Sequence, residues 1–143
     1  MRQALLGALL LMLAGCGATP VATAPPAQDV AGKQFDPPPA GMAAVYLYYP
    51  TTVGPALNVA VGPQTVSQLG PMTWIRVELS PGGHLLRCRG PNAGNSFSIS
   101  LAPGDMRFVA VYESVGAPAC TIQETNPEAG RSGVVAGTRA LQT

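Results

Sequence analysis

The feature that most constrains this chain is an alternation of apolar and polar residues that recurs between positions 42 and 124. In Thr73–Leu79 aliphatic residues occupy every second position after the tryptophan, and Arg76 and Glu78 fall between them. In 96–101 serine occupies every second position. Because successive side chains of a strand point to opposite faces of a sheet, this pattern predicts strands with one buried and one wet face.

Glycine or proline turns separate about seven such runs. The run Met106–Glu113 is apolar on both faces in its middle, which is typical of a central strand. No segment after the first fifteen residues has a convincing helical stripe. Short strands at this spacing predict an all-β fold, an antiparallel two-sheet sandwich over residues 42–124. The remaining predicted strands are 44–49, Leu57–Val61, 85–89 and 120–123, with 65–69 as a weaker candidate.

The amino terminus has the order of a secretory signal peptide, with Arg2 followed by an apolar run over 4–13. The run is roughly half the ~20 apolar residues that span a bilayer, so residues 1–15 are expected to be removed. The sequence LAGC at 13–16 resembles the lipobox of bacterial lipoproteins. That resemblance implies cleavage between Gly15 and Cys16 and lipidation of the Cys16 thiol. The alternative is an ordinary signal peptide whose removal leaves Cys16 free.

The expected location of the protein is the bacterial cell envelope, where the lipid would attach it to a membrane. Gly17 follows the cysteine at the position where an aspartate often marks inner-membrane retention, so we expect the outer membrane, facing the periplasm. Arg2 falls in the signal peptide, and the remaining basic residues balance the seven Asp and Glu. A neutral body argues against nucleic acid as a partner and leaves other envelope proteins as the candidates.

The segments on either side of the predicted sandwich differ in composition from it. Residues 16–41 are rich in proline and alanine and are predicted to form an extended tether. A polyproline conformation rises ~3.1 Å per residue, so about 25 such residues would reach up to about 75 Å from the lipid. Residues 125–143 are rich in glycine and small side chains and are predicted to be an irregular tail. Its apolar residues leave open whether the tail docks on the sandwich.

The cysteines that remain after lipidation are Cys88 and Cys120. Disulfides persist outside the cytoplasm, and an even number of cysteines there favours pairing. Cys88 alternates with Leu86, and Cys120 alternates with Ile122, so both thiols are expected to face one core. A cross-link between them would contribute about 3 to 4 kcal/mol in the chain-entropy model.

No catalytic or metal-binding motif stands out in the sequence. His84 is the single histidine and has no nearby carboxylate or thiol in the chain, so a catalytic triad would need residues from unrelated loops. The two cysteines lack the close-spaced companions of a zinc site. We therefore predict no catalytic residue, no metal and no cofactor. A carboxylate pair would need folding to bring two acidic residues into one cleft, the candidates being Glu78, Asp105, Glu113 and Glu124.

Two weak binding features are present. Arg87 and Arg89 share one strand face and, with Arg76 on another strand, would form a small basic patch for phosphate or carboxylate groups. The alternative is that these arginines are solvated and paired across strands with glutamates. Tyr46 and Tyr48 share a face, with Tyr49 opposite, and would stack on sugars if they were exposed; aromatic residues are equally common as buried strand residues.

Three stretches resemble an uncharacterised family of bacterial lipoproteins: 44–50 at the first strand, 77–84 at the central turn, and Pro103-Gly104 ahead of 108–111. The resemblance implies a prealbumin-like or carboxypeptidase-regulatory-like sandwich, which agrees with the immunoglobulin- or prealbumin-like fold expected from the strand pattern, and carries no established activity. We favour a noncatalytic interaction or structural module. The rival is a small periplasmic hydrolase or ligand carrier. An exposed edge strand would favour the first, and a cleft with converging polar groups would favour the second.

Overall fold

The structure, a computed structural model, describes residues 20–91, 93–114 and 120–143. The predicted all-β, two-sheet sandwich is confirmed, and the described residues form nine strands and two helices. The strands are β1 (Ala43–Tyr48), β2 (Leu57–Val61), β3 (Gln64–Leu69), β4 (Thr73–Leu79), β5 (Gly82–Arg89), β6 (Gly94–Leu101), β7 (Met106–Glu113), β8 (Cys120–Thr125) and β9 (Thr138–Arg139), and the helices are α1 (Pro26–Gly32) and α2 (Pro127–Ala136).

The strands lie in two sheets, of order β8-β7-β1-β4-β9 and β3-β2-β5-β6. The four-stranded sheet is antiparallel throughout, as predicted. The five-stranded sheet is mixed, because β1 pairs parallel with β7 and β4 pairs parallel with β9. The chain reverses direction after each strand from β1 to β8. As a result β1 and β7 run the same way and are parallel when the fold makes them neighbours.

The main core lies between the two sheets and contains the residues that the alternating pattern assigns to the buried face. Ile75 and Val77 of β4 and Leu86 of β5 all point into it. The predicted partners Cys88 and Cys120 form a disulfide, with their Cα atoms 6.2 Å apart. This bond joins β5 of one sheet to β8 of the other and holds the two sheets together along one side.

A second core covers the outer face of the five-stranded sheet. All six residues of β1 are buried, so the outward-facing Tyr46 and Tyr48 are as enclosed as the inward-facing residues. Trp74 of β4 is fully buried on the same face, and the side chain of Arg76 is only 11% exposed. The predicted wet face of β4 is therefore confirmed only at Glu78, which is exposed, and is wrong for Trp74 and Arg76, because the segments before β1 and after β8 pack over this part of the strand.

Residues 20–42 form a strap over this second core. An extended tether, predicted for 16–41, is not seen in the described part of that segment. The strap contains α1, whose last residue, Gly32, lies directly against the Trp74 ring. Proline is compatible with this helix, because Pro26 occupies its first turn, where the missing N–H costs no hydrogen bond. Because the strap removes the apolar surface of Trp74 from water, its packing on the sheet is stabilised by the hydrophobic effect.

The C-terminal segment 125–143, predicted to be irregular, instead forms α2 and β9. The side chain of Asn126 caps α2 by accepting a backbone hydrogen bond, and Pro127 follows it in the first turn. Gly130 lies against the Phe108 ring of the second core. Glycine lowers helix propensity by about 1 kcal/mol relative to alanine, which obscures this helix in the sequence. Without a Cβ, however, the helix backbone can approach the sheet closely.

We predict that Gly130→Ala destabilises the protein, although alanine is the better helix former. A Cβ at this position would overlap the Phe108 ring, and overpacking of this kind costs about 1 to 3 kcal/mol. Ser132→Ala, on the exposed side of the same helix, is the matched control and should change the free energy of unfolding by no more than about 0.5 kcal/mol. Chemical denaturation measures both. A Gly130→Ala variant at least as stable as the wild type would show that α2 is not seated on Phe108.

Candidate functional site

One long side of the sandwich is closed by contacts between the two sheets, and the other is open. On one side β6 approaches β8, and the Cys88–Cys120 disulfide joins the sheets there. On the other side the edges of β3 and β4 leave an open cleft of about 800 Å³, which we call the edge cleft. The strap forms one wall and the four-stranded sheet forms the other. The lining side chains used below are Asp36, Val61, Gln64, Val66, Arg76, Glu78, Arg139 and Gln142.

The free edge of β4 lies in this cleft. β9 pairs only with Thr73 and Trp74, so β4 has no strand neighbour on that side from Arg76 onward within the described residues. The Ala140 N–H donates to the Trp74 carbonyl, 2.8 Å, which shows that Trp74 directs its backbone groups to this side. Backbone groups alternate along a strand. Those of Arg76 and Glu78 therefore also face the cleft, where no described strand pairs with them.

Arg76 is the most unusual side chain of the edge cleft. Its Nη1 donates to the Tyr46 hydroxyl at 3.2 Å, and its Nη2 lies 3.4 Å from the Glu78 carboxylate. Its Nε is buried and has no hydrogen-bond partner among the described residues. Leaving a buried donor unpaired costs about 1 to 3 kcal/mol, and more when the group is charged. An acceptor brought by a bound molecule would remove this cost.

Arg139 closes one end of the cleft and is held by its neighbours. Its guanidinium donates to Gln142 Oε1 at 2.9 Å and to the Gln28 carbonyl at 3.2 Å. Its backbone N–H donates to Asp29 of the strap at 2.7 Å. These bonds fix the strap to the C-terminal segment, so we assign Arg139 a structural role.

The charges that line the edge cleft balance. Arg76 and Arg139 are offset by Asp36 and Glu78, and the other lining residues named above are neutral. Such a cleft offers no net attraction to a highly charged ligand. The exposed backbone groups at its floor favour a ligand with its own N–H and C=O groups.

The predicted basic patch of three arginines is not formed. Arg87 and Arg89 are exposed on the outer face of the four-stranded sheet, whereas Arg76 lies beneath the strap on the far side of the sandwich. Their cross-strand partners on β6 are Ser96 and Gly94, so the predicted pairing with glutamates fails for them. Of these three arginines, Arg76 lies near a glutamate, but that residue, Glu78, belongs to its own strand. The patch cannot form because β4 and β5 belong to different sheets, whose outer faces point in opposite directions.

Tyr46 and Tyr48 are core residues and cannot stack on sugars. The Tyr46 hydroxyl donates to the Gly32 carbonyl at 2.8 Å, and the Tyr48 hydroxyl lies 3.0 Å from Thr125 Oγ1. Tyr49 faces the main core, on the opposite side from these two, as the alternation predicts. Of the two alternatives for the tyrosines, core packing is therefore the correct one.

Folding brings two of the candidate carboxylates to one arginine. Arg107 binds Glu124 through two hydrogen bonds, one of them 2.8 Å long, and lies 3.5 Å from Asp105. These contacts, chiefly the hydrogen bonds to Glu124, raise the pKa of Arg107. The result is a partly exposed ion-pair network, and neither carboxylate lines the edge cleft. Glu78 lines that cleft, and Glu113 ends β7 elsewhere.

His84 donates from Nε2 to the Ser80 carbonyl at 2.7 Å, which fits a histidine that follows a turn. Within 20–91, 93–114 and 120–143, no group of three His, Cys, Asp or Glu residues lies close enough to hold a metal ion. The same residues contain no helix that is long and apolar enough to cross a membrane. Gly15 and Cys16 lie outside the described residues. No protein-family model matches the chain, and no curated protein matches it.

We predict that Arg76→Met leaves the protein as stable as the wild type or more stable by about 1 kcal/mol. Methionine retains packing over Tyr46 and removes a buried charge with an unpaired donor, and the Glu78 carboxylate that loses its partner is exposed enough to be solvated by water. Arg107→Met is the control, because its paired guanidinium should contribute up to about 1 kcal/mol. Denaturant unfolding compares them. A loss of more than about 2 kcal/mol in Arg76→Met would make Arg76 a structural residue.

Proposed function

We propose that the protein is a lipid-anchored, noncatalytic interaction module of the bacterial cell envelope. In this proposal Cys16 carries the lipid, the protein lies at the outer membrane facing the periplasm, and the edge cleft binds an extended segment of another envelope protein. The observation that carries the proposal is the free edge of β4 at the floor of the edge cleft.

An extended segment suits this cleft because it can add a strand to the sheet. Its backbone would pair with the N–H and C=O groups of Arg76 and Glu78, as in other complexes formed by strand addition. The free part of β4 spans four residues, or about 13 Å at ~3.3 Å per residue. An acceptor side chain or carbonyl of the partner would pair with Arg76 Nε, and Val61 and Val66 offer apolar surface on the opposite wall.

The rival function, a ligand carrier or hydrolase, also finds support in the edge cleft. Its volume is within the range of small-molecule sites, and Arg76 and Glu78 converge in it. The two proposals differ in the groups that do the binding. Strand addition depends on the backbone of β4, whereas a small ligand depends mainly on the side chains.

We predict that Glu78→Pro abolishes function and that Glu78→Ala preserves it. Proline removes the N–H that faces the cleft but leaves the bonds between β1 and β4, since edge strands accept proline where the N–H is free. Each variant is expressed in cells whose deletion strain has a measurable envelope defect, and complementation is scored. Ser98→Pro, on the edge strand of the other sheet, controls for proline itself.

The two variants at position 78 separate the proposals. Function lost in both Glu78→Ala and Glu78→Pro would assign the binding to the Glu78 carboxylate and favour the ligand carrier, and function retained in Glu78→Pro would contradict strand addition. Circular dichroism and protein levels confirm in each case that the variant is folded and retained in the envelope.

We predict that Cys16→Ala abolishes incorporation of labelled fatty acid into the protein. The thiol is the atom that would take the lipid, so alanine leaves no acceptor. The double variant Cys88→Ala, Cys120→Ala is the matched control, because both thiols are consumed in the disulfide, and it should label like the wild type. Undiminished labelling of Cys16→Ala would refute the lipid anchor.

A further inference from the structure

The edge cleft is closed at one end. β9 pairs with the edge of β4 at Thr73 and Trp74, and the Ala140 N–H donates to the Trp74 carbonyl at 2.8 Å. A strand added beside Arg76 cannot continue past Trp74, because β9 already occupies the backbone groups there. Such a strand must bend away or end at this point. In the other direction β4 continues to Leu79, and no described strand pairs with it on that side.

Two guanidinium groups lie at the closed end. Arg139 pairs with Trp74, two residues before Arg76 on β4, and lies over the Trp74 ring at 5.5 Å from the centroid. Arg76 lies over the ring of Tyr46 in the same way. The centroids of the Tyr46 and Trp74 rings are 5.7 Å apart. The two guanidinium groups are therefore neighbours on one surface, and both line the edge cleft.

The positive charge of the closed end is only partly neutralised. Within the described ranges, no carboxylate lies at ion-pair distance from Arg139. Asp29 accepts from the backbone N–H of Arg139, but its charge is balanced by Lys33 at 2.7 Å. Arg76 has Glu78 at 3.4 Å and an unpaired Nε. A further carboxylate at this end would therefore find charge and a hydrogen-bond donor without a partner.

The acidic residues of the cleft lie toward its other end, beside Leu79, which we call the entrance. Glu78 follows Arg76 on β4, and Asp36 lies on the part of the strap that runs from Gly32 toward β1. β1 starts opposite Leu79. The cleft is thus neutral as a whole but positive at its closed end and negative at its entrance. This polarity favours a bound chain whose negative charge is at the end that penetrates farthest.

We propose that the segment bound in the edge cleft is the free carboxyl terminus of the partner protein. It runs antiparallel to β4, with its last residue opposite Arg76. Opposite residues of such a pair exchange N–H and C=O bonds, so the terminal carboxylate accepts from the Arg76 N–H and lies beside the two guanidinium groups. An amino terminus in the same place would bring positive charge against Arg76 and Arg139. This inference rests on the proposed function and names the chemistry of its partner.

The same pairing determines the side chain before the last one. The partner residue opposite Val77 points to the inner face of the sheet, as Val77 itself does. Val61 and Val66 of the other sheet line the cleft on that side and pack against the main core. An apolar side chain at this position would cover both valines and remove apolar surface from water. The penultimate residue of the partner is therefore apolar.

The test uses the full-length lipidated protein in detergent and two libraries of octapeptides tethered to beads through their amino termini. The libraries share the same sequences, but one ends in a free carboxylate and the other in a carboxamide. We expect enrichment only in the carboxylate library, with an apolar penultimate residue. Arg76→Met should weaken binding of the selected peptides about tenfold or more, because a charge-assisted hydrogen bond loses one partner. Arg107→Met, the matched control outside the cleft, should bind them like the wild type.

Equal enrichment from both libraries, with binding lost in Glu78→Pro, would overturn the inference and leave strand addition intact. Carboxylate peptides that bind Arg76→Met as tightly as the wild type would also overturn it. Selected peptides without an apolar penultimate residue would contradict the antiparallel register. Enrichment from neither library would contradict the proposed function itself, so the two failures are distinguishable.

Discussion

The structure depends on the burial of β1 on both faces. A strand in this position must be covered on two sides, and a single second sheet covers only one of them. The four-stranded sheet packs on the side of Val45 and Leu47, and the strap and α2 pack on the side of Tyr46 and Tyr48. The two ends of the described chain are therefore parts of the fold. They also meet each other, since the Ala24 N–H donates to the Arg139 carbonyl at 2.9 Å.

The same covering segments create the edge cleft. β9 continues the five-stranded sheet for two residues, and the chain then crosses to β3, where Ser67 bridges to Gln142. An exposed sheet edge promotes unwanted pairing, and proteins usually shield it. Here the shielding stops after Trp74, and the strap and C-terminus restrict access to the open edge. The unpaired Nε of Arg76 beside that edge is a local cost to stability of the kind that binding sites retain.

The sequence predicted those features that depend on local alternation. The bounds of β2, β4 and β7 agree with the prediction, because each has a regular pattern and ends at a turn. The Cys88–Cys120 pairing followed from the cysteine count and from the inward phase of the two strands. The covering of Trp74 was missed, since Arg76 and Glu78 give that face of β4 a polar pattern. The α2 helix was not predicted, because Gly130 lowers helix propensity. The strap was predicted to be extended because it contains several prolines.

The edge cleft was not predictable from the sequence, because it depends on which strands become neighbours. No local sequence pattern predicts that β9 pairs with only two residues of β4. The parallel pairing of β1 with β7 is equally a property of the whole topology. Arg76 was identified as a candidate binding residue from its position on β4, but its environment depends on Tyr46, on Glu78 and on the strap.

The central claim is that the edge cleft binds an extended segment of another envelope protein. It is tested most directly by placing a photoreactive amino acid at Gln64, which lines the cleft, and at Ser98, on the edge strand β6, in living cells. The account predicts that Gln64 cross-links to one short segment of a single envelope protein, identified by mass spectrometry, and that Ser98 does not. Cross-linking of the same partner from Ser98, with none from Gln64, would contradict it.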